Sequence, residues 1–334
     1  MSCNLKKKFE NSKFDFVGKF KYMIIAPVAI MLVALIVLCC IGFNKGIEFT
    51  GGTMVNVFVG EELEQNQVFE NSKQKIDQVL NQNGLKASIY QINTTDVGLC
   101  LSVRYQDKTG ITEAEMEELN TKVTNELFTA FGYDKENVEQ KNYVLGSQRI
   151  DASVGSELLV NSLTAILIAS VLIGIYMLFR FGVTSSLSAF LCVEHDILIA
   201  ISSVIIFRLE LSSSIVSVLV AVLALSFFNN IQLFSTIKQN LKEEALNNKF
   251  VANNSIKQSS YRIILVTSFA IIGFLALSLF GIKFALTLSL PVLVGILANL
   301  YSTLFLAPAL WAFAYVPKKR KVKEVYKNKE NGVV

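Results

Sequence analysis

The stretch Tyr22-Met23-Ile24-Ile25-Ala26-Pro27-Val28-Ala29-Ile30-Met31-Leu32-Val33-Ala34-Leu35-Ile36-Val37-Leu38-Cys39-Cys40-Ile41-Gly42-Phe43 carries no charged side chain. A helix needs ~20 predominantly apolar residues to cross the hydrocarbon core of a bilayer. The run is longer than the ~7–15 residues of a signal-peptide core, and Cys39-Cys40-Ile41-Gly42-Phe43 is a poor small-residue cleavage site. It therefore reads as a retained anchor. Moving outward, five more apolar runs follow, at about Leu158–Phe181, Ser185–Phe207, Leu211–Phe234, Arg262–Ile282 and Ala285–Val316. Composition agrees. Of 334 residues, 52% are hydrophobic and 17% charged, with a mean hydropathy of +0.47. Soluble domains average roughly a quarter charged residues, so a single soluble enzyme and a disordered chain are both excluded. Four prolines exclude Pro-rich linkers. Five scattered cysteines (Cys3, Cys39, Cys40, Cys100, Cys192) without a CxxC pair argue against a disulfide framework or zinc site.

Lysine and arginine near the spans set orientation. They cluster before span one (Lys6, Lys7, Lys8, Lys13, Lys19, Lys21), between spans four and five (Lys238, Lys242, Lys249, Lys257, Arg262), and after span six (Lys318 to Lys329). The opposite short loops offer only Arg208 and Lys283. Both termini are expected in the cytoplasm. Residues 1–21 form a basic N-terminus, 22–43 the first transmembrane helix, and 44–157 an extracytoplasmic α+β domain. Residues 158–316 hold spans two to six, with a cytoplasmic or interfacial connecting helix at 237–261, and 317–334 form a basic tail. The +4 net charge hides a segregation: 44–157 carries 10 Lys/Arg against 18 Asp/Glu, while the remainder carries 21 against 9. The basic tail suits anionic lipid head groups or ribosomal RNA, but a positive-inside topology signal accounts for it. No nucleic-acid partner is expected.

The domain at 44–157 alternates element types. Thr53–Val59 reads as a buried strand and Asn66–Gln82 as a helix broken by Asn83-Gly84. Leu85–Asn93 and Val97–Tyr105 read as strands around a Thr94-Thr95-Asp96 turn. Thr112 and Glu115 make a capping-box start to a helix reaching about Phe131, and Tyr143–Ile150 reads as a last strand. The order β-α-β-β-α-β is that of the ferredoxin-like split βαβ unit. The fold expected is a polytopic α-helical membrane protein of six transmembrane helices with one ferredoxin-like α+β domain. No histidine lies in 44–157, so no Ser-His-Asp triad is possible there. A transport protein is expected, not an enzyme, with no bound cofactor or metal.

Charged groups inside a bilayer cost roughly 2.5–3.5 kcal/mol on insertion scales. Span three holds Glu194, His195 and Asp196, ~100° apart around a helix, so they are expected to face a polar interior. They serve either as a proton relay or as interhelical hydrogen-bonding groups. Span four holds Ser226, Asn229, Asn230 and Gln232, which hydrogen-bond but do not titrate. Arg262 opens span five, to reach inward or snorkel.

Several of these residues fall in recognisable motifs. Gly46-Ile47-Glu48-Phe49-Thr50-Gly51-Gly52-Thr53 resembles the G-I-D-F-T-G-G-T signature of the SecD/SecF protein-export family. Val154-Gly155-Ser156-Glu157-Leu158 is similar to its V-G-x-E-L, His195-Asp196 to its H-D, and Phe207-Arg208-Leu209-Glu210 to its F-x-I-E loop. Ser255-Ile256-Lys257-Gln258 followed by Arg262 resembles S-I-x-Q-x-x-x-R, and Tyr301-Ser302 with Ala307 resembles Y-S-S-x-x-x-A. The matches run in order over roughly 270 residues, and the single small domain after span one is similar to the SecF arm of the family. The resemblance implies an RND-superfamily fold in the plasma membrane and pairing with a SecD-like subunit. It further implies association with the SecYEG channel and proton-motive force spent on pulling unfolded secreted polypeptides outward. The paired glycines Gly51 and Gly52 become a hinge for the domain. Where the family's span four carries a proton-carrying Asp, this chain has Asn229, and its D-R pair becomes Ser235-Thr236. Three readings follow: a relay through Glu194, His195 and Asp196; a relay only in the paired SecD; or a scaffold without its own coupling. Two other classes are weaker. An RND-like small-molecule or lipid exporter is disfavoured by the small domain and the FTGG signature. An intramembrane hydrolase built on His195 and Asp196 lacks a third zinc ligand at helical spacing.

Overall fold

The computed structural model describes residues 17–18, 23–60, 65–94, 98–108, 110–132, 147–150, 152–243, 247–279 and 283–316. The basic N-terminal stretch before residue 17, the start of the strand expected at Tyr143 and the tail 317–334 lie outside the described residues. In chain order the elements are α1 (Ile25–Ile41), α2 (Ile47–Thr50), β1 (Gly52–Gly60), α3 (Gln65–Gln82), β2 (Ala87–Thr94) and β3 (Gly98–Gln106). There follow α4 (Glu113–Ala130), β4 (Ser147–Ile150), α5 (Ala152–Phe181), α6 (Val183–Ile206), α7 (Ser214–Glu243) and α8 (Asn248–Leu279). The last are α9 (Lys283–Tyr301), a π-helical turn (Ser302–Leu306) and α10 (Ala307–Ala314).

Among the described residues five helical segments are long and apolar enough to cross a membrane: Gly155–Phe181, Val183–Ile206, Ser214–Lys242, Asn248–Ala276 and Leu288–Ala314. Together they make a multi-pass membrane protein. The first span expected from sequence appears as α1, a shorter apolar helix of 17 residues. At ~1.5 Å per residue it is about 25 Å long, short of the ~30 Å hydrocarbon core. The connecting helix expected at 237–261 is not a separate element: α7 runs on to Glu243 and α8 begins at Asn248. Both helices continue past their apolar stretches because Asn240 Nδ2 donates to Ser255 Oγ at 2.9 Å and both residues are buried. That contact, with Ile237 packed near Val251 and Ile256 in one apolar cluster, ties the two extensions together.

The α+β domain is a four-stranded sheet in the order β2-β3-β1-β4, every neighbouring pair antiparallel. Alternation along the strands puts Val55 and Val57 of β1 opposite Val103 and Leu101 of β3, all fully buried. Helix α3 lays Phe69, Ile76 and Leu80 into this core and α4 adds Met116, Val123 and Leu127, in both cases at spacings of seven and four that keep one helical face inward. Tyr105 closes the layer, and its burial pushes the phenol pKa up to about 12. The capping box is present: Thr112 Oγ1 accepts from the Glu115 backbone N–H, and Glu115 Oε2 accepts from Thr112 N–H at 2.8 Å. These bonds from Thr112 hold the Glu115 carboxyl below the usual range. A depressed carboxylate pKa contributes stability above its unfolded value and loses it as pH falls. Thr112→Ala removes the N-cap acceptor of α4, and the usual cost of losing such a cap is about 1 kcal/mol at neutral pH. The deficit relative to wild type should shrink as the pH falls through the range in which Glu115 takes up its proton, as read by urea titration at neutral and at acid pH.

In the bundle, α6, α7 and α9 are the central helices, about half buried along their apolar windows, whereas only 6% of the α5 window is buried. Close approach at the centre depends on Gly295 of α9: a Cβ there would lie 2.4 Å from Val222 of α7 and 3.3 Å from Ala200 of α6. Small residues at such crossings let helices meet where apolar burial from lipid supplies no driving force.

Candidate functional site

Asp196, fully buried on α6, is the centre of a polar network crossing the bundle. Its Oδ2 accepts from Ser226 Oγ of α7 at 2.6 Å and from Asn299 Nδ2 of α9 at 3.1 Å, while His195 Nδ1 lies 3.0 Å from Oδ1. With the carboxylate ionised, Nδ1 is the donor of that pair. Asn299 extends the network. Its Oδ1 accepts from Asn229 Nδ2 at 2.6 Å, and its Nδ2 also reaches Thr303 Oγ1 at 3.2 Å. Asn229 Nδ2 donates in addition to Thr267 Oγ1 of α8 at 3.2 Å. Four helices and the π-turn are thus joined by one network built on a buried carboxylate, and a buried charge is tolerated only when its lone pairs are filled.

The π-turn has a local cause. Pro308 has no N–H to donate and its ring clashes with the carbonyl four residues earlier, at Leu304. The ladder widens over Ser302–Leu306 just before it. Such bulges frequently sit at functional sites. This one presents Thr303 to Asn299 and sets Ser302 O 3.9 Å from Cys192 Sγ on α6. Tyr301, at its start, lies tilted by 36° against the His195 ring with centroids 6.2 Å apart, and its hydroxyl donates to Met23 O beside α1.

The residues expected to act together are only partly brought together. His195 is 13% exposed and Asp196 is buried, but Glu194, 100° round the helix, faces outward from the bundle. Asn229 and Asn230 are both buried; Asn229 joins the network, while Asn230 Nδ2 donates to Ser226 O on its own helix. Arg262 is exposed on α8, and Thr267 is that helix's contribution. Among the described residues no cluster of three His, Cys, Asp or Glu side chains is placed to hold a metal ion.

A second assembly lies where the α+β domain meets the bundle. Gly46 N–H donates to Leu211 O at 2.9 Å and Leu211 N–H to Asn44 O at 2.7 Å, so the chain leaving α1 pairs with the α6–α7 link. Glu48 accepts from Ser213 N–H at the start of α7, where the helix's positive end favours a carboxylate. Arg208, at φ +53°, donates to Gly42 O. The glycines are there for contact. A Cβ on Gly155 of α5 would lie 1.9 Å from Glu48 O, and one on Gly46 would lie 2.8 Å from Leu211 O. One on Gly52 would lie 2.4 Å from Tyr105 O, while Gly51 takes φ +76° at the end of α2. Phe49 and Thr50 complete the single turn of α2, Thr50 Oγ1 donating to Gly46 O at 3.2 Å, and Val154 lies in the first turn of α5. Gly51 and Gly52, expected as a hinge, thus sit inside a packed junction.

Residues 132–316 match the profile of the family described as protein export membrane protein SecD/SecF, C-terminal. The chain belongs to the SecD/SecF protein-export family. It is 24% identical over 295 residues to the protein translocase subunit SecF of Helicobacter pylori, covering 88% of this chain and 85% of that one. It is 27% identical over 308 residues to the protein translocase subunit SecDF of Bacillus subtilis, covering 90% of this chain but 38% of that longer one. Its fold is similar to the crystal structure of SecDF, a translocon-associated membrane protein from Thermus thermophilus, with a TM-score of 0.64 at 24% identity, covering 90% of this chain and 38% of that one. The SecDF chains are thus more than twice as long as the part this chain matches. As a SecD/SecF member the protein is a subunit of the protein translocase type.

Sequence reading missed Asn299, Thr267 and Thr303 of the network. Asn299 carried a signal: it is the one amide in the apolar run 285–316. Thr267 and Thr303 carried none, because a threonine in a membrane helix ordinarily satisfies its hydroxyl on its own backbone.

Proposed function

We propose that this chain is the SecF-type partner of a SecD-like subunit, that the pair works beside the SecYEG channel, and that proton-motive force drives its pull on secreted polypeptides. The observation that carries the reading is that the chain is similar, along most of both lengths, to a subunit named SecF, and also to about two-fifths of a chain in which SecD and SecF are fused. The outward face of α6 supports it. Leu187, Leu191, Glu194 and Leu198 are all exposed at spacings of four, three and four, a seam for another helix with one carboxylate at mid-span. A carboxylate facing lipid at that depth is costly, and a donor on a partner helix relieves it. The sheet order β2-β3-β1-β4 supports the ferredoxin-like reading of the α+β domain. We take α1 as span one, which brings the spans to six, and both termini as cytoplasmic, on the lysine distribution.

Proton coupling is assigned to Asp196 and His195, with Asn229 as a fixed hydrogen-bonding group that cannot titrate. Purifying the tagged full-length chain in mild detergent is expected to recover a SecD-like subunit together with the Sec channel. Glu194→Leu is expected to lower recovery of the SecD-like subunit severalfold with the chain still folded. Recovery of neither partner by the wild-type chain would overturn the reading.

A further inference from the structure

The α+β domain is acidic, with 18 Asp/Glu against 10 Lys/Arg in residues 44–157. Yet four of those ten basic residues, Lys45, Lys86, Arg104 and Lys108, line a single groove of about 530 Å³. The volume is within the ~300–1,000 Å³ usual for small-ligand sites. The side chains of Lys45, Lys86 and Lys108 are exposed. The Lys108 ammonium lies beside Gly84, 3.5 Å from where a Cβ would stand. Gln106 Nε2 donates to Lys45 O at 3.1 Å and so holds the Lys45 backbone to the strand that ends in the groove. Two carboxylates share the rim: Asp107, engaged by Arg149 at 3.3 Å, and Glu210 of the α6–α7 link. The balance is still positive.

Position decides what this charge is for. Lys45 comes four residues after the end of α1, and Glu210 lies between two membrane helices, so the groove opens beside the ends of apolar helices. Strand β2, which contributes Ala87 and Ser88 to the lining, contacts α9 near the same face of the bundle. Ile47 and Leu85 add an apolar wall. A concave site that combines exposed lysines, apolar lining residues and the ends of membrane helices matches an amphiphile whose phosphate is its charged part. Lysines near a membrane surface each strengthen attraction to anionic lipid.

We propose that this groove binds the phosphodiester headgroup of an anionic phospholipid in the leaflet on the α+β side of the membrane. The occupied groove then fixes the height of the domain above the bilayer at its junction with α1 and the α6–α7 link. Native mass spectrometry of the full-length chain, delipidated and re-equilibrated with defined lipid, tests this. Phosphatidylglycerol should be retained about tenfold over phosphatidylcholine. A triple Lys45→Gln, Lys86→Gln, Lys108→Gln variant should lose that preference. A control triple Lys73→Gln, Lys75→Gln, Lys122→Gln, with the same charge removed elsewhere on the domain, should keep it. Equal loss in both triples would make the effect one of net charge and overturn the site, as would equal retention of the two lipids by the wild type. Inorganic phosphate at millimolar concentration distinguishes the remaining source. If phosphate is retained by the wild type and lost from the first triple, without any lipid preference, the occupant is the free ion and the lipid assignment fails. Lipid retention is read without any export assay, so its failure leaves the translocase reading untouched.

Discussion

Asp196→Asn is expected to bring proton-dependent export down to the level of cells lacking this chain while the bundle stays folded. The network explains why the fold survives. The new amide's oxygen still accepts from Ser226 and Asn299, and its NH2 donates to His195 Nδ1 once the imidazole carries its proton on Nε2. That Nε2 makes no hydrogen bond otherwise. Removing a buried charge offsets whatever geometry is lost, so stability should change by no more than about 1–2 kcal/mol in either direction. The functional loss has a different origin. A titratable group moved across the membrane field delivers about 2.3 kcal/mol per charge per 100 mV, and an amide delivers none. His195→Ala should also impair export, because it removes both a titratable neighbour and a hydrogen-bond partner of Asp196. Asn229→Ala should affect export less but stability more, by about 1–3 kcal/mol, since it abandons Asn299 Oδ1 and Thr267 in a buried site. Export rates in energised vesicles, with melting measured on the same preparations, separate the two effects. Wild-type export by the Asp196→Asn chain would remove this residue from the coupling path.

Gly155→Ala should break the junction between the α+β domain and the bundle. The added Cβ would fall 1.9 Å from Glu48 O and 2.5 Å from Glu48 C, which are backbone atoms that cannot rotate aside. Either α5 moves away or α2 is displaced, and with α2 goes the Glu48 contact to Ser213 at the start of α7. Overpacking of this kind costs about 3 kcal/mol or more. Gly174→Ala on the same helix is the control. Nothing lies within 4 Å of its Cβ position, so that change should be neutral or stabilise by up to about 1 kcal/mol. Thermal melting in detergent ranks the two variants. If Gly155→Ala melts with Gly174→Ala, the junction is looser than the packing requires. Because the same contact links domain to helix α7, Gly155→Ala should also reduce export with every member of the Asp196 network unchanged.

Local information carried much of this molecule. The apolar runs placed five membrane helices within a few residues at most ends, because twenty consecutive apolar side chains have few other stable homes. The capping box at Thr112 and Glu115 and the strands around residues 53–59 and 97–105 were legible for a similar reason: each depends on neighbours three residues or fewer apart. Span ends were less so. The extensions of α7 to Glu243 and of α8 back to Asn248 depend on Asn240 meeting Ser255 across two helices, which no window of sequence contains. His195, Asp196 and Asn229 were conspicuous as polar residues in apolar helices. Glu194 was equally conspicuous yet faces outward, since adjacent residues on a helix diverge by ~100° and only packing decides which side is the interior.

The chain's order of residues settled that it lives in a bilayer, how its α+β domain is built, and that a carboxylate is held within a membrane helix. Those outcomes follow from hydrophobicity and hydrogen bonding over short distances along the backbone. Tertiary packing alone settled that Asp196 takes its partners from α7 and α9, and that Thr267 and Thr303 complete the circuit. It also settled that Gly46, Gly52 and Gly155 are spaces filled by neighbouring backbone. A donor, an acceptor or a missing Cβ has meaning only against the atom opposite it, and that atom can lie far along the chain, as Glu48 does 107 residues from Gly155 and Leu211 does 165 residues from Gly46.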